Sequence, residues 1–231
     1  MKKTKSTQKT LAGNNQSFLY QHCGPEWYPL IELYKKTFEF QKGEKIFKEG
    51  QQVNGMYVID TGKVKVIASY GKGKEQLLRL ATDGEILGHR GLGGNHKYPV
   101  SATALTHTTV TFIPDEIFNK LLKANNGLCF YLMNFFAEEL HHSEANSREM
   151  YNTSVKKRIA RAILLNYEKF GIERSSKQLT YTLSRKDIAN LSGTTYESVV
   201  RTLSEFNKKG IINLDGKSIG IPDKQALENI K

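Results

Sequence analysis

Leu183-Ser184-Arg185-Lys186-Asp187-Ile188-Ala189-Asn190-Leu191-Ser192-Gly193-Thr194-Thr195-Tyr196-Glu197-Ser198-Val199-Val200-Arg201-Thr202-Leu203 decides how this chain is read. Ser184 followed by Asp187 has the spacing of a capping box, with Asp in place of the commoner Glu. A short helix is expected from Arg185 to about Leu191. Ser192-Gly193 makes a turn, because glycine permits a positive φ. Thr194-Thr195-Tyr196-Glu197 opens a second helix by the same capping logic, and Gly210 stops it beyond Lys209. Two short helices joined by a tight turn form a helix-turn-helix. Ile188, Leu191, Val199 and Leu203 are the expected contacts between them. Thr195, Tyr196, Glu197, Val200 and Arg201 are left exposed on the opening turns of the second helix, the part that enters a major groove.

Outward from the motif, Ile211 to Ile221 reads as strand, Asp215-Gly216 turn, strand: a hairpin wing. Lys208, Lys209 and Lys217 stand where a phosphate backbone would be held. Arg185 and Thr194 complete the expected DNA-contacting set. Arg pairs with guanine in a bidentate fork and Glu accepts from the cytosine amino group, and Glu197 and Arg201 share a helix face at i, i+4. A capping role for Glu197 and an ion pair with Arg201 are the structural alternatives. A helix from Val155 to about Phe170 precedes the motif.

Charge agrees with a polyanionic partner. The 231 residues carry a net +11. Residues 153–231 hold 15 Lys/Arg against 8 Asp/Glu, so +7 falls in the last third and +4 in the remaining 152 residues. Such a balance points to nucleic acid, here double-stranded DNA.

Further out, residues 1 to about 17 are Lys/Thr/Gln/Asn-rich and read as a mobile arm, with a short helix expected from Glu26 to Lys36. From Phe38 to about Pro114, alternating apolar residues with recurrent glycines predict a small antiparallel barrel or roll. Met56 to Ile67 reads as strand, turn, strand, and Tyr70 to Lys74 as a hairpin tip. The period turns helical from Asp115 to about Arg148. Leu128, Tyr131, Leu132, Phe135 and Phe136 recur at three- and four-residue spacing. They fit either a helix packed on its own domain or a dimer seam, and the polar stretch from Glu138 to Glu144 favours the seam. The expected organisation is an arm and short helix over 1–37, a β-roll sensor over 38–117, a dimerisation helix region over 118–152 and a winged helix-turn-helix over 153–231, an α+β chain.

Cys23 and Cys129 cannot build a disulfide framework. The basic N-terminus lacks an apolar core for a secretory signal, and no apolar run reaches membrane-span length, so a cytoplasmic protein without membrane partners is expected. There is no phosphate-binding loop, no zinc-ligand spacing and no serine-hydrolase order. Gly91-Leu92-Gly93-Gly94 lacks the dinucleotide fingerprint. An enzyme is not expected.

Taken together, these stretches resemble the CRP/FNR family of bacterial regulators from about Phe38 to Leu227. Gln41-Lys42-Gly43-Glu44 with Phe47-Lys48-Glu49-Gly50 is similar to the start of the family's β-roll, and Gly84-Glu85-Ile86-Leu87-Gly88 to the approach to its ligand cassette. Leu183 to Ile221 is similar to its winged helix. The Phe47 to Gly50 and Leu92-Gly93-Gly94-Asn95-His96 stretches lie nearer the FNR branch. The resemblance implies a double-stranded β-roll, a long dimer helix, and a homodimer on a two-fold operator. It implies base-reading by Glu197 and Arg201 and a phosphate contact by Thr195. Tyr196 and Val200 fall where the cyclic-AMP and FNR branches differ, and reproduce neither set.

For the effector, the resemblance implies absences. The cyclic-AMP branch uses a Glu and an Arg-Ser pair. Anchored on Gly88 and on Ser101 to Ala104, these positions hold His89 and Tyr98-Pro99, so no cyclic-nucleotide binding is expected. Four cluster cysteines are required in FNR. Here Cys23 stands alone in the N-terminal segment and Thr111 takes the internal position, so no four-cysteine cluster and no metal site are expected. Alternatives are haem, with His89, His96, His107, His141, His142 and Cys23 as nominal ligands, or a small anion at a pocket around His89, Arg90, Tyr98 and Ser101, with His96 and Lys97 nearby. A ligand-binding module acting through protein contacts without DNA is a further alternative. The effector is otherwise an unknown small molecule or none, and RNA polymerase is a partner if the protein activates.

Overall fold

The computed structural model describes residues 18–71 and 73–230, apart from the side chains at 149 and 151. The arm expected over 1–17 lies outside the described residues. The described residues divide into two compact units: 18–69 with 81–140, and 70–80 (without 72) with 141–230.

The first unit opens with α1 (Phe18–His22), a 3-10 turn at Pro25–Trp27 and α2 (Tyr28–Tyr34). The helix expected over Glu26 to Lys36 is therefore shorter. Pro29 cannot donate a backbone hydrogen bond and suits a helix's first turn, and β1 (Lys36–Phe40) claims Lys36. Then come β2 (Lys45–Phe47), β3 (Gly55–Thr61), β4 (Lys63–Ser69), β5 (Glu75–Thr82), β6 (Ile86–Leu87), β7 (Ser101–Ala104) and β8 (Thr108–Pro114). They form two antiparallel four-stranded sheets, β1-β8-β3-β6 and β2-β7-β4-β5, with Ala81 and Thr82 of β5 inside this unit. Met56 to Ile67 is strand, turn, strand as expected, but the two strands do not pair with each other: β3 pairs with β8 and β6 while β4 pairs with β7, and the chain changes sheet at Gly62. Alternation sets the faces. In β4, Val64 and Val66 are buried while Lys63 and Lys65 are half-exposed.

Two helices close the unit. α3 (Asp115–Ala124) buries Ile117, Phe118 and Leu121, and α4 (Asn126–Asn152) continues into the second unit. Asn125 bridges the start: its Nδ2 donates to the Leu121 carbonyl at 2.9 Å and its Oδ1 accepts from the Gly24 amide at 2.8 Å. Within this unit α4 has two faces. Leu128 and Leu132 are buried, and Tyr131 stacks on His22 and Phe18. Phe130, Met133 and Leu140 are 62%, 58% and 61% exposed. The residues expected as a seam thus include those facing their own unit. The outward row is Phe130 and Met133, followed by Ala137 and Leu140.

In the second unit follow α5 (Val155–Phe170), α6 (Arg185–Ser192), α7 (Tyr196–Lys208), the strands β9 (Asn213–Asp215) and β10 (Ser218–Gly220), and α8 (Lys224–Glu228). Ile159 and Ile163 of α5, Ile188 of α6, Val199, Leu203 and Phe206 of α7, and Ile212, Ile219 and Leu227 are buried.

Candidate nucleic-acid interface

The turn between α6 and α7 forms as its residue types demand. The Ser184 hydroxyl caps α6 by accepting from the Asp187 amide at 3.0 Å, and donates to the Asp187 carboxylate at 2.7 Å. Gly193 ends α6 at φ 58°, where a side chain would be strained. Thr195 caps α7, its Oγ1 accepting from the Ser198 amide at 3.2 Å. Ile188, Val199 and Leu203 are buried between the helices, as expected, while Leu191 is only half-buried. In their place Ala189, Ser192 and Thr202 join the core. These are small residues that let the helices approach.

With the hydrophobic side of α7 committed inward, Thr195, Tyr196, Glu197, Val200 and Arg201 are all exposed, and Thr194 half-exposed. Glu197 does not cap its own helix, since Thr195 does. Among the described residues Glu197 and Arg201 take part in no ion pair. A carboxylate and a guanidinium one turn apart therefore present their hydrogen-bonding groups to solvent together.

The wing is tied to α6 by Arg185. Its Nη1 donates to the Lys217 carbonyl at 2.8 Å and its Nη2 to the Gly216 carbonyl at 3.4 Å. Burial draws the Arg185 guanidinium below its usual value, and nearby Tyr196 opposes that. Arg185, expected only as a DNA contact, is thus also the brace of the hairpin. Asp215 pairs with Ser218, so the two turn residues are Gly216-Lys217 and not Asp215-Gly216. Gly216 has φ 55°, the requirement at the first central position of a two-residue hairpin turn. Lys217 stands exposed at the tip, and Lys208 and Lys209 are exposed at the end of α7.

The four residues expected around an effector pocket are engaged with different partners. Arg90 reaches α4: Nη2 donates to Glu139 Oε2 at 2.7 Å and Nε to the same atom at 3.3 Å. His89 is buried beside it, with Nε2 3.7 Å from Glu139 Oε2 and its ring edge-on to Phe135 and Phe136. Tyr98 packs against Gly88 and Gly91, on either side of His89 and Arg90. Its ring stacks on Phe47 at 4.2 Å and its hydroxyl donates to the Gly55 carbonyl at 2.7 Å. Ser101 Oγ accepts from the Glu49 amide at 3.0 Å. Tyr57 and Phe112 extend the aromatic stack through the roll, and burial pushes the Tyr57 and Tyr98 hydroxyls up. At the position of the internal cluster cysteine, Thr111 Oγ1 donates to Asp60 at 2.9 Å. Burial first, then the Glu26 carboxylate, push the Cys23 thiol up to about 11. His96, His107, His141 and His142 are exposed, and among the described residues no three His, Cys, Asp or Glu side chains gather as a metal site.

Comparison with known proteins adds to this geometry. A cyclic nucleotide-binding domain model matches residues 37–125, and a Crp-like helix-turn-helix domain model matches residues 157–230. The chain belongs to the CRP/FNR family. A CRP-like cAMP-activated global transcriptional regulator of Mycobacterium tuberculosis is 25% identical over 210 residues, covering 90% of this chain and 94% of the relative. The fumarate and nitrate reduction regulatory protein of Escherichia coli K12 is 28% identical over 203 residues, covering 87% and 80%. The solved structure of FixK2 from Bradyrhizobium japonicum superposes with a TM-score of 0.75 at 23% identity, covering 85% of this chain and 97% of that one. This member of the family is therefore a transcription regulator with a helix-turn-helix DNA-binding domain, not an enzyme. Among its described residues no helix is long and apolar enough to cross a membrane.

Proposed function

We propose that this regulator binds a palindromic operator as a homodimer, with DNA binding governed neither by cyclic AMP nor by a four-cysteine iron–sulfur cluster. The observation that carries the reading is the exposed Glu197 and Arg201 pair on the opening turns of α7, flanked by Lys217 on a wing that Arg185 braces. Those turns enter the major groove in a helix-turn-helix, where Arg reads guanine and Glu the cytosine amino group. Thr194, Thr195 and Lys217 serve the phosphates.

The homodimer is paired along the outward face of α4. Phe130, Met133, Ala137 and Leu140 follow the three- and four-residue spacing of a helix-helix seam, and all four are exposed. Two-fold pairing sets two recognition helices on half-sites about one helical turn apart. If the protein activates, it does so through RNA polymerase.

The Mycobacterium tuberculosis relative is cAMP-activated by name. In this chain a ligand at the roll meets Tyr98 already stacked on Phe47, and Arg90 already held by Glu139. A cyclic phosphate gains no free guanidinium there. The same pairing weighs against a small anion at Arg90, and the depth of the Cys23 thiol against its use as a thiolate ligand for haem or a cluster.

The test is selection from random duplex DNA by the full-length protein at stated salt, since phosphate contacts dominate affinity, with calorimetry against cyclic AMP alongside. Enrichment of a palindrome without added nucleotide is expected. No enrichment, or micromolar cyclic-AMP binding, contradicts the corresponding part.

A further inference from the structure

Two large apolar side chains stand in solvent at the start of the recognition helix. Tyr196 is 54% exposed and Val200 is 40% exposed. The other apolar residues of α7, namely Val199, Leu203 and Phe206, are exposed by 1% or less. A helix turns about 100° per residue. Tyr196 and Val200 therefore form one stripe, and Glu197 and Arg201 form the next, about 100° further round. The apolar stripe is continuous with the groove-facing side of α7, and about half of it stands in solvent. Water is a poor neighbour for such a stripe. Its occupant is to be sought where Glu197 and Arg201 point.

The major groove offers one apolar feature, the C5-methyl of thymine. We infer that Tyr196 and Val200 read thymine methyl groups at the positions adjoining the G·C pair engaged by Glu197 and Arg201. The inference rests on the operator reading above and deepens it by assigning specificity to two further residues. Val200 is β-branched and stiff at χ1, and Tyr196 brings a large rigid ring at the cost of few rotamers. A cytosine in the same place sets its amino donor against an apolar surface and leaves it unsatisfied. Discrimination is therefore both for the methyl and against the amino group.

The experiment uses full-length protein and the operator it selects, remade with each thymine in turn replaced by deoxyuridine. This removes the methyl and keeps every hydrogen-bonding group. The dissociation constant is expected to rise about fourfold at one or two thymines per half-site next to the G·C pair, the worth of one methyl taken out of water. Val200→Ser and Tyr196→Ala bind the thymine operator more weakly, and each loses the deoxyuridine effect at its own position. Equal binding to every deoxyuridine duplex overturns the inference, as does an effect that persists unchanged in both variants. If Arg201→Ala abolishes selective binding while deoxyuridine changes nothing, only this inference falls. If no duplex is selected at all, the operator reading falls and takes this inference with it.

Discussion

Arg158 follows Lys156 and Lys157 directly in a basic run, yet its guanidinium turns inward. Nη1 donates to the Thr153 carbonyl at 2.8 Å and the Met150 carbonyl at 3.4 Å, and Nε donates to the Ser192 carbonyl at 2.9 Å. It thereby satisfies chain ends of α4 and α6 from α5. Hydrogen bonds from a charged donor are each worth about 1.5–3 kcal/mol, so Arg158→Met is expected to cost about 2–3 kcal/mol in urea unfolding. A change under 0.5 kcal/mol, typical of an exposed position, contradicts this role. Gly193→Ala is expected to cost about 1–2 kcal/mol by the same measurement, because φ 58° suits glycine alone without strain. Residue type announced the Gly193 turn and the Ser184 and Thr195 caps. It did not announce Arg158, Arg185 or Arg90. Each of these is a basic residue whose partner is set by tertiary folding, Glu139 being 49 residues from Arg90. A sequence shows that such a charge exists and not whether it is already paired.

At the scale of elements, the period of α6 and α7 and the turn between them were legible because local signals agree: cap, glycine, apolar face. α4 was legible as a helix but not in its faces. Aromatic residues occupy both sides, so spacing alone could not separate Tyr131 and Phe135, turned to the first unit, from Phe130 and Met133, turned to solvent. Leu140→Lys is expected to raise the dimer dissociation constant at least tenfold in sedimentation equilibrium, since it sets like charges across an apolar seam. An unchanged dimer constant contradicts pairing along α4. A second element-scale link is Glu205 of α7, whose Oε1 takes Lys156 of α5 at 2.7 Å and Lys209 at 2.9 Å. Its hydrogen bonds to Lys156 and Lys209 hold the carboxyl down at about 2. A depressed folded value contributes stability above the unfolded value of about 4.5 that is lost as pH falls towards 2. Glu205→Gln is expected to unfold with a shallower pH dependence across that window in low salt. The same slope in both proteins contradicts the link.

For the whole molecule, charge and motif lead to the same partner. The net +11, with +7 in residues 153–231, supplies sequence-independent attraction to DNA and a binding constant that falls steeply with salt. In the proposed reading Glu197 and Arg201 supply the choice of base. The family resemblance was legible over most of the chain, and the two domain models match the same stretches. The effector loop was the least legible part, because what fills a ligand position is decided by packing: Tyr98 lies against Phe47, which stands 51 residues earlier. The most direct test of the central claim compares wild type and Arg201→Ala on the selected operator and on the same duplex with the G·C pair of each half-site replaced, at one stated salt. Wild type is predicted to prefer the intact operator by tenfold or more, the worth of a bidentate contact of about 1–3 kcal/mol per half-site, and Arg201→Ala to lose most of that preference, keeping only what Glu197 supplies. An Arg201→Ala protein that keeps the wild-type preference would contradict the account.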